Sequence, residues 1–165
     1  PQSTKVVLLP VRMHPAELEA AYRAVRPDVI QFHGNETIEW MAMVRQLLGV
    51  ETWRVIGLRE RSTLDRAGEF AGKVDRMVFD APAKALPGGN GEAFRWDILD
   101  GYDHPMPWAL AGGLTPENVG EAIARTGAPL VDTSSGVEST PGFKDIALIR
   151  AFCEAVRETD NSRSS

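Results

Sequence analysis

The residues of this sequence best suited to chemistry stand where short apolar runs end. Gln31-Phe32-His33-Gly34 closes one run and puts a carboxamide and an imidazole side by side. Asp80 follows Met77-Val78-Phe79 directly. A carboxylate at the end of a buried strand is costly to desolvate, which raises its pKa and suits a general acid; the same position also fits a turn or helix cap. Gly112 and Gly113 end a further run and lead into Leu114-Thr115-Pro116-Glu117, where glycine amides at a helix start attract an anion. Asp132-Thr133-Ser134-Ser135-Gly136-Val137 is a second polar, glycine-containing run end. Two such loops on the last two runs are a stronger anion signal than either alone. Gly88-Gly89-Asn90-Gly91 would allow close approach to a ligand or a lid-like loop, although plain turns share that composition.

The elements that must carry these residues follow from periodicity. Six apolar, strand-like runs are expected: Val6–Val11, Asp28–Phe32, Trp53–Leu58, Arg76–Phe79, Trp108–Ala111 and Leu130–Asp132. Helical stripes lie between them, at Leu18, Ala21, Tyr22 and Val25, at Ile38, Met41, Val44 and Leu48, and at Leu64, Ala67, Ala71 and Val74. Thr115-Pro116-Glu117 reads as a helix start, and Asp145 as the cap of a last helix striped by Ile146, Ile149, Phe152, Cys153 and Val156. Alternating strands and helices with nearly continuous apolar strands give an α/β fold with parallel strands, at about 27 residues per unit. In such folds the site lies at the C-terminal strand ends, where the unusual residues are.

The 165 residues read as one domain over 1–165. A net charge of −5, with no basic run, argues against a nucleic-acid surface or an anionic membrane. The apolar stretches are far shorter than the roughly 20 residues of a membrane span, and no signal peptide is visible. One cysteine, Cys153, excludes an internal disulfide and fits a reducing cytoplasm.

Specific motifs sharpen this picture. They are Ile30-Gln31-Phe32-His33-Gly34-Asn35-Glu36, Phe79-Asp80, Gly88-Gly89-Asn90-Gly91-Glu92-Ala93-Phe94-Arg95-Trp96, Pro107-Trp108-Ala109-Leu110-Ala111-Gly112-Gly113-Leu114-Thr115-Pro116-Glu117-Asn118-Val119 and Val131-Asp132-Thr133-Ser134-Ser135-Gly136-Val137-Glu138-Ser139, followed by Pro141-Gly142 and Lys144-Asp145. In this order the sequence resembles the phosphoribosylanthranilate isomerase family of tryptophan biosynthesis, from Lys5 to about Val156. The resemblance implies a TIM-type (βα) barrel, an Amadori rearrangement of a phosphosugar, and no redox cofactor or metal. Asp80 matches the general acid. Gln31, His33 and Asp132 match positions lining the substrate site, and Gly112, Gly113, Ser134, Ser135 and Gly136 match the phosphate site.

The chain aligns from the family's third strand onward, so six of eight βα units are expected. The family's cysteine base and its arginine lie on the first two. Cys153 is no replacement; its place on the last helix suggests a buried structural thiol. Arg12 follows the first run but has no family motif behind it. Open sheet edges would pair readily, through self-association or with an N-terminal segment. A truncated, non-catalytic phosphosugar-binding relative is the alternative to an enzyme.

Overall fold

A computed structural model describes residues 4–80 and 96–163. The helices begin where the side chains supply caps. α1 (Pro15–Val25) has Pro15 in its first turn, and the Glu17 carboxylate accepts the His14 amide at 2.8 Å. α2 (Ile38–Leu48) is capped by Thr37, whose hydroxyl accepts the Trp40 amide at 3.2 Å, and ends at Gly49, which takes the left-handed conformation with φ +63°.

Five parallel strands form one sheet in the order β1 (Val7–Leu8), β2 (Val29–Phe32), β3 (Glu51–Gly57), β4 (Arg76–Asp80) and β5 (Trp108–Ala111). The sixth expected run makes only a parallel bridge. The Leu110 amide donates to the Leu130 carbonyl at 2.9 Å, and the Asp132 amide donates back to Leu110 at 2.8 Å. The sixth strand is therefore corrected to a single bridge beside β5, and the first run shortens to two residues before Pro10, which has no amide to donate.

Residues alternate along these strands. Ile30, Phe32, Met77, Phe79 and Leu110 pack beneath Leu18, Met41, Val44 and Ile123 of the helices. Val55, Val78, Ala109 and Ala111 pack together on the opposite face. Helices cover one face, while the other is filled by the strands' own side chains.

The third stripe is a single turn, α3 (Ser62–Asp65), followed by a 3₁₀ segment at Arg66–Phe70. Glycine at 68 weakens a helix interior and Gly72, with φ +73°, cannot continue one, yet Leu64, Ala67 and Val74 are still buried. α4 (Val119–Thr126) starts after a turn in which the Thr115 hydroxyl accepts the Glu117 amide at 3.3 Å, so the helix begins later than Thr115-Pro116 suggests.

A short antiparallel hairpin, β6 (Glu138–Thr140) with β7 (Phe143–Lys144), precedes the last helix. No apolar alternation announces it; the Pro141-Gly142 dipeptide at its turn, with Gly142 at φ +84°, is the local sign. In α5 (Ile146–Arg163) Asp145 caps as expected, accepting the Ala147 amide at 2.7 Å. The helix packs through Leu148, Phe152, Ala155 and Val156. That rotation turns Cys153 outward: it is exposed, not the buried thiol expected. Among the described residues no helix is long and apolar enough to cross a membrane.

Just before β5, the His104 ring stacks on Trp108 with centroids 3.9 Å apart, and its Nδ1 is buried with no hydrogen-bond partner among the described residues. Burial lowers its pKa from the ordinary 6.5 to about 4. The folded state therefore binds this proton less readily than the unfolded chain, and the stability tied to neutral His104 is present above pH 6.5 and lost as pH falls towards about 4. Thermal melts of wild type and His104→Gln across that interval are expected to converge as pH falls. Parallel curves would show that His104 does not set this acid sensitivity.

Candidate functional site

Parallel pairing puts every C-terminal strand end on the same side. Asp80 pairs in register with Gly57 on β3 and with Ala111 on β5, so the loops after β3, β4 and β5 emerge together. A cavity of about 350 Å³ opens there, in the size range of small-molecule sites. Gln31, His33, Asp80, Gly112, Gly113, Asp132, Ser134, Ser135 and Gly136 all line it. The sequence selected these nine residues, and folding gathers them into one site. Among the described residues, Thr133 of the same polar run and Leu9, Val55, Val78 and Ala111 also line it; the last four are apolar and carry no chemical signal in the sequence. Arg12 is exposed and is not among the lining residues.

Two carboxylates occupy the cavity. Gln31 and the Thr133 backbone stand beside Asp132 and favour its charged form. Its pKa is nevertheless raised, first because burial penalises the anion and second because the charge of Asp80 faces it. The Asp80 side chain is 34% exposed, with the His33 Nε2 3.9 Å from its Oδ2. That gap is longer than a hydrogen bond but close enough for a protonated imidazole to feel the carboxylate.

His33 is held from behind. The Glu36 carboxylate accepts the Gly34 amide at 2.9 Å and pairs with Arg54 at 3.2 Å, while Arg54 also donates to the Gly34 carbonyl at 2.8 Å. Glu36 and Gly34 of the motif therefore shape the loop that presents His33. Arg54, a lone charge inside an apolar run, is a positioning residue that sequence reading passed over.

The two glycine loops are locked together. Asn118 accepts the Thr115 amide at 2.8 Å and donates to the Gly113 carbonyl at 3.1 Å, while Gly112 and Gly113 both take positive φ, +93° and +59°. Across the gap, the Thr133 hydroxyl donates to the Leu114 carbonyl at 2.7 Å. Gly136 lies so close to that carbonyl that a Cβ built on it would stand 1.8 Å from the Leu114 oxygen. Such juxtaposed loop amides suit an anion with several acceptor oxygens. The Gly88–Gly91 loop lies outside the described residues. Among the described residues no group of His, Cys, Asp and Glu could hold a metal.

Comparison with known proteins identifies the family. The family model described as "N-(5'phosphoribosyl)anthranilate (PRA) isomerase" matches residues 5–155. An N-(5'-phosphoribosyl)anthranilate isomerase of Erythrobacter litoralis is 58% identical over 157 residues, covering 95% of this chain and 75% of that protein. The enzyme of that name from Rhodospirillum rubrum is 47% identical over 146 residues, 87% of this chain and 67% of its own length. Among solved structures, phosphoribosyl anthranilate isomerase of Thermotoga maritima superposes with a TM-score of 0.83 at 28% identity, covering 96% of this chain and 75% of that one. TrpF from Jonesia denitrificans gives 0.78 at 33% identity, with 93% and 71% covered. With a family match along almost its whole length and relatives this similar, the chain belongs to the N-(5'-phosphoribosyl)anthranilate isomerase family.

Proposed function

We propose that this chain forms the site for the Amadori rearrangement of N-(5-phosphoribosyl)anthranilate to 1-(2-carboxyphenylamino)-1-deoxyribulose 5-phosphate in tryptophan biosynthesis. The observation that carries this reading is the convergence of all nine sequence-selected residues on one cavity. In it, the loops of Gly112, Gly113, Ser134, Ser135 and Gly136 take the phosphate, and Gln31, His33 and Asp132 line the sugar.

Asp80 protonates the ribose ring oxygen; the C1–O bond breaks as the nitrogen lone pair forms the iminium. Removal of the C2 proton then gives an enolamine, which tautomerises to the ketone. Asp132 lines the same cavity as the acid, with Gln31 beside it, which suits it to holding a substrate hydroxyl. The resemblance assigns the C2 proton to a cysteine on units that this chain does not match, and Cys153 on α5 lies away from the cavity. The non-catalytic alternative gains no support from the relatives described above, which carry the isomerase name.

The edges of the sheet bear on how turnover is tested. β1 pairs only with β2, and Leu130–Asp132 pairs only with β5, among the described residues. Each leaves one side able to accept a further strand. The chain is therefore expected to bind reduced 1-(o-carboxyphenylamino)-1-deoxyribulose 5-phosphate, the compound held by a solved relative. It is expected to isomerise substrate when a relative's segment carrying the cysteine is supplied in trans. Calorimetry and a product assay read the two results. Absence of analogue binding by the chain, with and without that segment, would overturn the reading.

A further inference from the structure

The β6–β7 hairpin places a cation behind the anion loops. The Lys144 ammonium donates to the Ser134 carbonyl at 2.8 Å and to the Ser134 Oγ at 3.1 Å. Its third contact is the Glu138 carboxylate at 2.6 Å. Ser134 lines the cavity, whereas Lys144 is not among the lining residues. Among the described residues, Lys144 thus touches the site through Ser134 alone.

The chemistry of these contacts is directional. An ammonium has protons to give and no lone pair, while a serine hydroxyl has one proton and two lone pairs. The Lys144 contact therefore occupies Ser134 Oγ as an acceptor and leaves its only proton to point elsewhere. The carbonyl contact acts on the adjoining peptide. In a trans peptide the C=O and the next N–H point in opposite directions, so a Ser134 carbonyl held towards Lys144 turns the Ser135 amide away from it. Ser135 also lines the cavity. A phosphate monoester dianion offers acceptors only, so a hydroxyl and an amide both fixed as donors are what it requires.

Glu138 sets the character of this arrangement. Its carboxyl lies below the ordinary range, held there by the Lys144 hydrogen bond and by the Gly142 amide, so the ammonium faces a charged partner. The pair is close to neutral, and Lys144 acts by orientation more than by long-range attraction.

We propose that Lys144 is a positioning residue for anion binding, fixing the Ser134 hydroxyl and the Ser135 amide as donors to a phosphate dianion. This rests on the phosphate reading of the glycine loops given above. Lys144 stands outside the cavity, within Lys144-Asp145, a motif to which sequence reading gave only the helix-capping role of Asp145.

The test is a double-mutant cycle read by the affinity for inorganic phosphate, using calorimetry on the full chain. Ser134→Ala and Lys144→Met are each expected to weaken binding by about 3–10-fold, the usual scale for one hydrogen bond. The double variant is expected to be no weaker than the poorer single variant, because Lys144 works through Ser134. Lys144→Arg, which keeps N–H donors, is expected to restore most of the affinity. Glu138→Gln, which leaves the Ser134 contacts in place, is expected to bind at least as tightly as wild type.

Two results would overturn the inference: Lys144→Met binding phosphate like wild type while Ser134→Ala is weakened, or the two losses multiplying in the double variant. A wild-type chain that binds no phosphate, or a Ser134→Ala variant that binds it unchanged, would instead strike at the phosphate reading itself. If Lys144→Met melts the hairpin, Lys144→Gln carries the comparison: its shorter side chain does not extend to the position of the ammonium, so phosphate binding is expected to fall as for Ser134→Ala, and binding like wild type would overturn the inference.

Discussion

With the cysteine-bearing segment supplied, Asp80→Asn is expected to lower kcat for the isomerisation by about 10²–10⁴-fold, the range associated with losing one acid-base group. Asparagine keeps the size and the hydrogen-bonding plane of the side chain but has no acidic proton to give the ring oxygen. The strand end that carries it should not move, since β4 is paired on both sides and Val78 and Phe79 are buried. Affinity for the reduced product should therefore stay within a few-fold of wild type. A further signal is built into the cavity. Asp132 is raised by burial and, second, by the charge of Asp80, so Asp80→Asn should move the Asp132 titration down towards its ordinary 3.8. Carboxyl NMR reads that shift and steady-state kinetics reads the rate. An unchanged kcat would remove Asp80 from the mechanism, and a lost affinity at unchanged kcat would make it a binding residue.

The second large effect belongs to a residue with no side chain. Gly136→Ala places a methyl group 1.8 Å from the Leu114 oxygen, 2.8 Å from the Leu114 carbonyl carbon and 2.9 Å from Thr133 Oγ1. Two of these three atoms are backbone and cannot rotate aside. The loops must separate, and the 2.7 Å bond from Thr133 to Leu114 that ties them is lost. Overpacking of this kind destabilises by about 1–3 kcal/mol. Misplacing binding groups by about 1 Å is enough to reduce function about 10²-fold. We therefore expect phosphate and analogue affinity to fall by about that factor, with a lowered melting temperature. Calorimetry and thermal denaturation check both, and a Gly136→Ala variant that binds and melts like wild type would refute the close approach. Gly142 is the contrasting position: a Cβ there would meet nothing within 4 Å, but φ is +84°, so alanine strains the turn without touching the site.

The site was more legible than the fold around it. Parallel strands bring all C-terminal ends to one side, so a rule about strand ends suffices to select Gln31, Asp80, Gly112 and Asp132 without knowing how the strands cross. Other features escaped. Leu130–Asp132 has the composition of a strand but pairs through a single bridge, because pairing depends on a neighbour and not on the run itself. Cys153 falls on the apolar stripe of α5, yet the helix turns Phe152 and Val156 inward and leaves the thiol in solvent. The stripe is wide enough to allow either rotation, and contact with α4 chooses one.

By itself the sequence determined the α/β class, the order of the main strands and helices, the cap at Asp145, and the family, because each is written in local period, turn chemistry or contiguous motif. The tertiary structure alone decided that burial falls on Asp132, that Arg54 and Glu36 hold the His33 loop, that Gly136 abuts the Leu114 carbonyl, and that Lys144 stands behind Ser134. These depend on distances between residues far apart along the chain. Such distances are fixed by the twist of the sheet and the packing of the loops, which no local pattern of residue types encodes.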